Sequence, residues 1–284
     1  MTVTADLVVA AGRISESLGR PRVGRVVLPA PERRADQHGA FCAVQFAGGS
    51  TGLAYVLLGD TRARLGSLDV DALEGREAAA VAEGLTQDDP AMRSVALAAV
   101  NALTRLLFDA AGFAPDFAAN SLGSLGLAPG DRLGMIGFFP PLVRQARERG
   151  VPLTVLELRE ELVQEAAGLT VTLDAARLAG CNEIVSTSTV LLNDSLESVL
   201  EHARGCREFV LVGPSAGCVP DPLFARGVTG LGGPWVMDPE RLLKRVASGD
   251  RWGDASRKYS LRNDRTWPGL DELLSRAADR QRGA

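Results

Sequence analysis

The sequence predicts an α/β protein in two parts: a smaller α+β domain, then an open parallel sheet wound with helices on both faces. Three observations predict it. Over residues 5–112 a helical pattern gives way to three strand-like runs and then to helices again. From residue 132 short apolar runs alternate with helical segments, the spacing of βαβ units. Those runs are apolar almost throughout, as strands covered on both faces are. The expected domains are 1–115 and 116–284, joined through the Gly-, Ser- and Pro-rich stretch 114–131.

Each element has its own warrant. "ADLVVAAGRISESL" (5–18) spaces its apolar residues as an amphipathic helix. "VGRVVLPA" (23–30), "FCAVQFAGG" (41–49) and "TGLAYVLLG" (51–59) are strand-like, and "GGS" between the last two signals a hairpin. Helices are expected over 69–84 and 90–112, the second with Pro90 in its first turn and Gly112 at its end. The second half offers strands at 132–138, 152–158, 183–189, 208–215 and 233–238, with helices at 141–150, 159–167, 194–204 and 239–248. A last surface helix covers "DELLSRAADRQRGA".

Composition narrows the function. A chain of 284 residues, 46% hydrophobic, can build real cores. Its net charge of −4 and lack of a basic stripe argue against a nucleic-acid partner. Six arginines in 13–34 are mixed with prolines and acids and read as a solvated face. No signal pattern and no run of about 18 apolar residues stands out, so no membrane partner and a cytoplasmic location are expected. Cys42, Cys181, Cys206 and Cys218 have no CxxC spacing.

In an open parallel sheet, ligands lie beyond the carboxyl ends of the strands. Those ends carry Gly137-Phe138-Phe139-Pro140, Glu157, Ser186 to Thr189, Gly213-Pro214-Ser215 and Gly232-Gly233. The rim is small and polar over an apolar sheet. Glu157 follows Gly137 by twenty residues, the offset of the acid that holds ribose in dinucleotide-binding folds. Pro140 and Pro141, however, remove two N–H donors that a pyrophosphate needs. A flat ligand without pyrophosphate, stacked near Phe138 or Phe139, fits better. The alternative is that Glu157 is a solvated strand-end acid and both phenylalanines are core.

Thr187, Thr189 and Asn193 cluster at a strand-to-helix turn, suited to a carboxylate or phosphate, or to local turn bonds alone. Asp194 and Glu197 read as a capping box, and Asp238 as an N-cap before Pro239. Ser215 lies in GPSAG, which is not a G-x-S-x-G elbow. His38…Cys42 and His202…Cys206 each pair soft ligands four residues apart, with no third ligand nearby in sequence.

"GMIGFFPPLV", "EIVSTSTVLLNDSLESVL", "FVLVGPSAG…PDPLFARGVTGLGG" and "VMDPERLLKRVASG" together resemble the family known as "putative heavy-metal chelation". "SVALAAVNALT" (94–104) is similar to the helix of its partner domain, itself like the N-terminal domain of enolases. The resemblance implies a Rossmann-like second domain and a site in the interdomain cleft. That site would draw on Asn101, Gly137, Phe138, Glu157, Thr187, Thr189, Asn193, Gly213, Pro214 and Ser215, with Phe139 beside them. Expected ligands are an adenosine-type molecule such as S-adenosylmethionine or an amino-acid-like one; the alternative is a divalent heavy metal or metal chelate. The sequence leaves open whether the protein is an enzyme and whether it forms a homodimer.

Overall fold

Thr2 accepts a hydrogen bond from the Ala5 amide and so starts α1 (Val3–Ser17). Leu7, Ala10, Ala11 and Ile14 fall on one face of that helix and are buried. The computed structural model describes residues 1–30, 39–117, 126–264 and 266–283. Next come β1 (Val23–Val27), β2 (Phe41–Phe46) and β3 (Thr51–Tyr55), an antiparallel sheet in that order. Gly49, at φ +90°, makes the expected β2–β3 turn. Arg13, Arg20, Arg22 and Arg25 are exposed as expected, whereas Arg33 and Arg34 lie outside the described residues.

The helix expected over 69–84 is mostly absent. α2 (Thr61–Leu65) precedes it, and only α3 (Ala78–Ala82) with a 3₁₀ turn at Glu83–Thr86 is helical within that span. The backbone before α3 is committed elsewhere: Val23 N–H donates to the Arg76 carbonyl and Ala78 N–H to the Pro21 carbonyl. Tertiary pairing overrides the local preference there.

α4 (Pro90–Ala111) is capped by Asp89 and closed by left-handed Gly112, at φ +64°. Its length and apolarity would suit a membrane span, but the helix is buried within the fold. A Cβ on Gly52 of β3 would stand 2.1 Å from the Ala98 carbonyl oxygen, so α4 lies directly on the β3 backbone.

The second sheet is built from β4 (Leu133–Ile136), β5 (Leu153–Leu156), β6 (Gln164–Ala166), β7 (Leu169–Thr172), β8 (Glu183–Thr187), β9 (Glu208–Val212), β10 (Gly230–Val236) and β11 (Ser256–Arg262). The helices are α5 (Pro140–Glu148), α6 (Leu196–His202), α7 (Asp221–Phe224), α8 (Pro239–Ser248) and α9 (Leu270–Gly283). Spatial order is β11-β10-β9-β8-β4-β5-β7-β6, with antiparallel strands at both edges. The six parallel strands, numbered along the chain, run 3-2-1-4-5-6, the Rossmann order.

Two elements correct the sequence reading. Residues 159–167 form a 3₁₀ turn (Glu160–Leu162) and β6 rather than a helix. Gly168, at φ +74°, turns the chain back, and "LTVT" pairs as β7 with β5. The antiparallel strand β11, unforeseen in the sequence, covers the other edge. Of the expected linker 114–131, residues 118–125 lie outside the described ones; Asp116 bridges to Ser260 on β11.

One buried core runs through α1, α4, α9 and one face of the large sheet, including Ile184, Phe209, Leu211 and Leu231. A second lies between α5 and the opposite face, around Met135, Val155 and Val210. Both faces are therefore covered, as the apolar strands require.

Candidate functional site

The strand order reverses between β4 and β8, so the switch point of this sheet lies where Gly137 leaves β4 and Thr187 ends β8. Gly137 has φ +81°, and a Cβ there would lie 3.2 Å from Thr187 Cγ2. Only glycine suits both the backbone and the contact. One strand further, a Cβ on Gly213 would stand 2.6 Å from Ser188 Oγ. Gly137, Thr187, Ser188 and Gly213 thus follow one another along the carboxyl edge. Phe138 and Phe139, half-buried, pack against the second core beside Gly137.

Glu157 is not a solvated acid. It is only 8% exposed. Its Oε1 accepts from Phe138 N–H at 2.8 Å and from Arg159 Nη2 at 3.3 Å, and its Oε2 from Leu158 N–H at 3.0 Å. Burial pushes its carboxyl pKa up, but the Arg159, Phe138 and Leu158 hydrogen bonds outweigh this and hold it below the ordinary value. The side chain fixes the Gly137–Phe138 turn, and this use occupies the oxygens a ribose would need.

Thr187 Oγ1 and Thr189 Oγ1 are 3.1 Å apart, and Thr187 also accepts from Thr189 N–H, capping a 3₁₀ turn. Asn193 is exposed and holds Ser195 through its Oδ1. The capping box is overturned. Ser195, not Asp194, precedes α6, and Asp194 takes φ +52° to pair with Arg93 at 2.7 Å across the two parts of the molecule. Glu197 instead accepts from Val3 N–H at 2.6 Å, serving the start of α1. Asp238 does cap α8, accepting from Arg241 N–H at 3.0 Å.

The three-stranded part covers the β9–β10 end of the edge. Tyr55 N–H donates to Ser215 Oγ at 2.9 Å, and Ser215 is fully buried. Asn101 Nδ2 donates to the Leu53 carbonyl at 2.8 Å and to the Ser215 carbonyl at 3.2 Å. Asn101 therefore faces the loop after β9 and not the outer surface. It lines a cavity of about 30 Å³ with Arg105, Pro214, Gly217, Trp235 and Tyr259. Arg105, Trp235 and Tyr259 were not singled out from the sequence; they meet only because α4, β10 and β11 converge.

A profile of the "putative heavy-metal chelation" family DUF364 matches residues 120–263, just over half of the chain. The chain belongs to DUF364. A companion profile with the same description, DUF4213, matches residues 39–104. A DUF364 protein of unknown function from Pyrococcus horikoshii superposes with TM-score 0.68 at 19% identity, covering 90% of this chain and 99% of that one. Another, from Desulfitobacterium hafniense DCB-2, gives 0.65 at 20% identity, covering 89% and 97%. An uncharacterised protein of Methanocaldococcus jannaschii is 24% identical over 173 residues, 60% of this chain and 65% of its own length. The chain thus spans just under two thirds of that curated relative.

The DUF364 description invites a test of the side chains as metal ligands. Among the described residues no three of His, Cys, Asp and Glu come together to hold an ion. Cys42 and Cys218 are fully buried, and burial pushes both thiols up to about 12. His38 lies outside the described residues. His202 ends α6, so Cys206 does not follow it on a helical face. The described side chains do not fit a bare ion.

Proposed function

We propose that this DUF364 protein binds a small molecule along the carboxyl edge of its large sheet, at the β4–β8 switch point. A heavy metal is bound there only as part of that ligand, as a chelate. The observation that carries this reading is Gly137 at φ +81° against Thr187, on the edge where the strand order reverses. The hydroxyls of Thr187 and Thr189 offer polar contacts, and Phe138 and Phe139 offer a flat apolar one. The poor fit of the described side chains to a bare ion supports a metal carried by its chelator.

An adenosine-type ligand keeps the Phe138 and Phe139 contact but loses Glu157 as the ribose acceptor, because that carboxylate is held by backbone amides. It is the weaker fit.

Thermal-shift titration of the full chain tests the proposal. The probes are zinc and nickel as their histidine and citrate complexes, each chelator alone, each free metal, and S-adenosylmethionine. A metal–chelate complex should raise Tm beyond the metal or chelator alone, and Thr187→Val should remove the response. If free zinc or nickel binds as well as its complexes do, or Thr187→Val responds like wild type, the reading is wrong.

A further inference from the structure

The two edges of the large sheet are finished differently. On β11, Ser260 N–H donates to the Asp116 carbonyl at 2.9 Å, so part of that edge is bridged. β6 pairs with β7 on one side, and on the other no described residue pairs with it. Gln164, Glu165 and Ala166 are all exposed. Alternate residues of such a strand turn N–H and C=O outward, a template for another strand. Proline, a bulge or a free charge guards an edge of this kind. β6 has no proline and no register shift, and Glu165 is already paired with Arg177 at 2.7 Å. Val163, just before the strand, is 48% exposed, and Ala167 after it is exposed too.

Charge is sorted beside this edge. α5 follows β4 at the carboxyl edge and runs back to the amino edge, where Arg147 and Arg149 lie exposed on either side of Glu148. The turn after β5 stands at the carboxyl edge and exposes Glu160 and Glu161. None of these two arginines and two glutamates is paired through its side chain with a described residue. Leu162 of the turn packs on the same core as Leu142 and Val143 of α5, so the turn and the helix share one face of the sheet.

We infer that β6 is a homodimer interface, joined to a second copy of this chain by a two-fold axis normal to the sheet. Such an axis runs the two β6 strands antiparallel and keeps both α5 helices on one face. It also sets the carboxyl edge of each copy beside the amino edge of the other. Glu160 and Glu161 of each copy then meet Arg147 and Arg149 of the other, and the symmetry makes the contact twice. A parallel arrangement separates these charges, because it turns the second α5 to the opposite face. A peptide strand adds the same backbone bonds but brings no defined charge to either group. The strand is short and the charges are exposed, so the dimer is weak and sensitive to salt.

Sedimentation equilibrium of the full chain in about 0.05 M and about 0.5 M salt tests this. The wild type should dimerise at low salt with a Kd on the order of 10 μM, and about tenfold more weakly at high salt. Val163→Lys should weaken the dimer at low salt. So should Arg147→Glu with Arg149→Glu, and Glu160→Arg with Glu161→Arg, each by about tenfold or more. All four charge reversals together should restore association, and because every site is exposed Tm should stay at the wild-type value throughout. A chain that remains monomeric to about 100 μM at low salt leaves the edge to a peptide partner and overturns the inference. A dimer indifferent to Val163→Lys or to either double reversal overturns it too, as does a fourfold variant that associates no better than the doubles.

Discussion

Replacing Glu157 by Gln keeps the shape of the side chain and removes its charge. In the wild type, one carboxylate oxygen receives Phe138 N–H at 2.8 Å and the other receives Leu158 N–H at 3.0 Å. Glutamine can accept only one of these, and its NH₂ then faces the other N–H. One orphaned amide beside a displaced donor costs about 2 kcal/mol. For a chain of this size that lowers Tm by roughly 4–8 °C. The pH dependence has a definite sign. The folded carboxyl pKa is held below its ordinary 4.5, so Glu157 stabilises the fold above that value and the contribution is lost as pH falls through the folded pKa. Glu157→Gln has no such term, so the gap between variant and wild type should be full at pH 7 and narrow on acidification below pH 4.5. Urea unfolding at both ends of that range reads it. Equal midpoints at pH 7, or a gap that stays constant with pH, would refute the assignment of Glu157 as the pin of the Gly137–Phe138 turn.

Two further substitutions probe how the parts are joined. Gly52→Ala puts a methyl 2.1 Å from the Ala98 carbonyl oxygen and 2.4 Å from the Ala102 nitrogen, both backbone atoms that cannot yield cheaply. It should cost about 3 kcal/mol or more, and a Tm within a degree of wild type would show that α4 does not lie on β3 as described. Asp194→Asn tolerates the left-handed backbone but removes the partner of Arg93, whose side chain is 10% exposed. Because Asp194 is itself half-exposed, a loss of only about 1–2 kcal/mol is expected; it should persist in 1 M salt, and its disappearance there would mark an ordinary surface pair.

Several features were legible because a local rule and the tertiary structure agree. Pro90 and Gly112 bound α4 as their backbone preferences require, and Asp238 caps α8. Gly137, Thr187 and Gly213 could be placed on one edge because strand ends in a parallel sheet all face the same way. The misses share a cause. "EELVQEAAG" is rich in helix formers, yet Gly168 and pairing along β7 turn it into an edge hairpin. Asp194 has a capping-box spacing, but buried Arg93, 101 residues earlier in the chain, claims it. Arg207 joins Asp131 and Glu183 in an ion-pair cluster at the opposite edge of the sheet, where burial raises the Glu183 carboxyl pKa. Residues so far apart carry no shared signal in the sequence.

α9 bears on how the molecule comes into being. Its Leu273 and Ala277 complete the core that α4 begins, and Trp267 just before it meets the ring of Phe108 edge-on at 5.9 Å. The ribosome therefore releases α4, the longest helix among the described residues, long before the segment that seals it. Throughout that interval a wide greasy surface stays open to other nascent chains and to chaperones. Residues 267–277 set the moment at which that exposure ends.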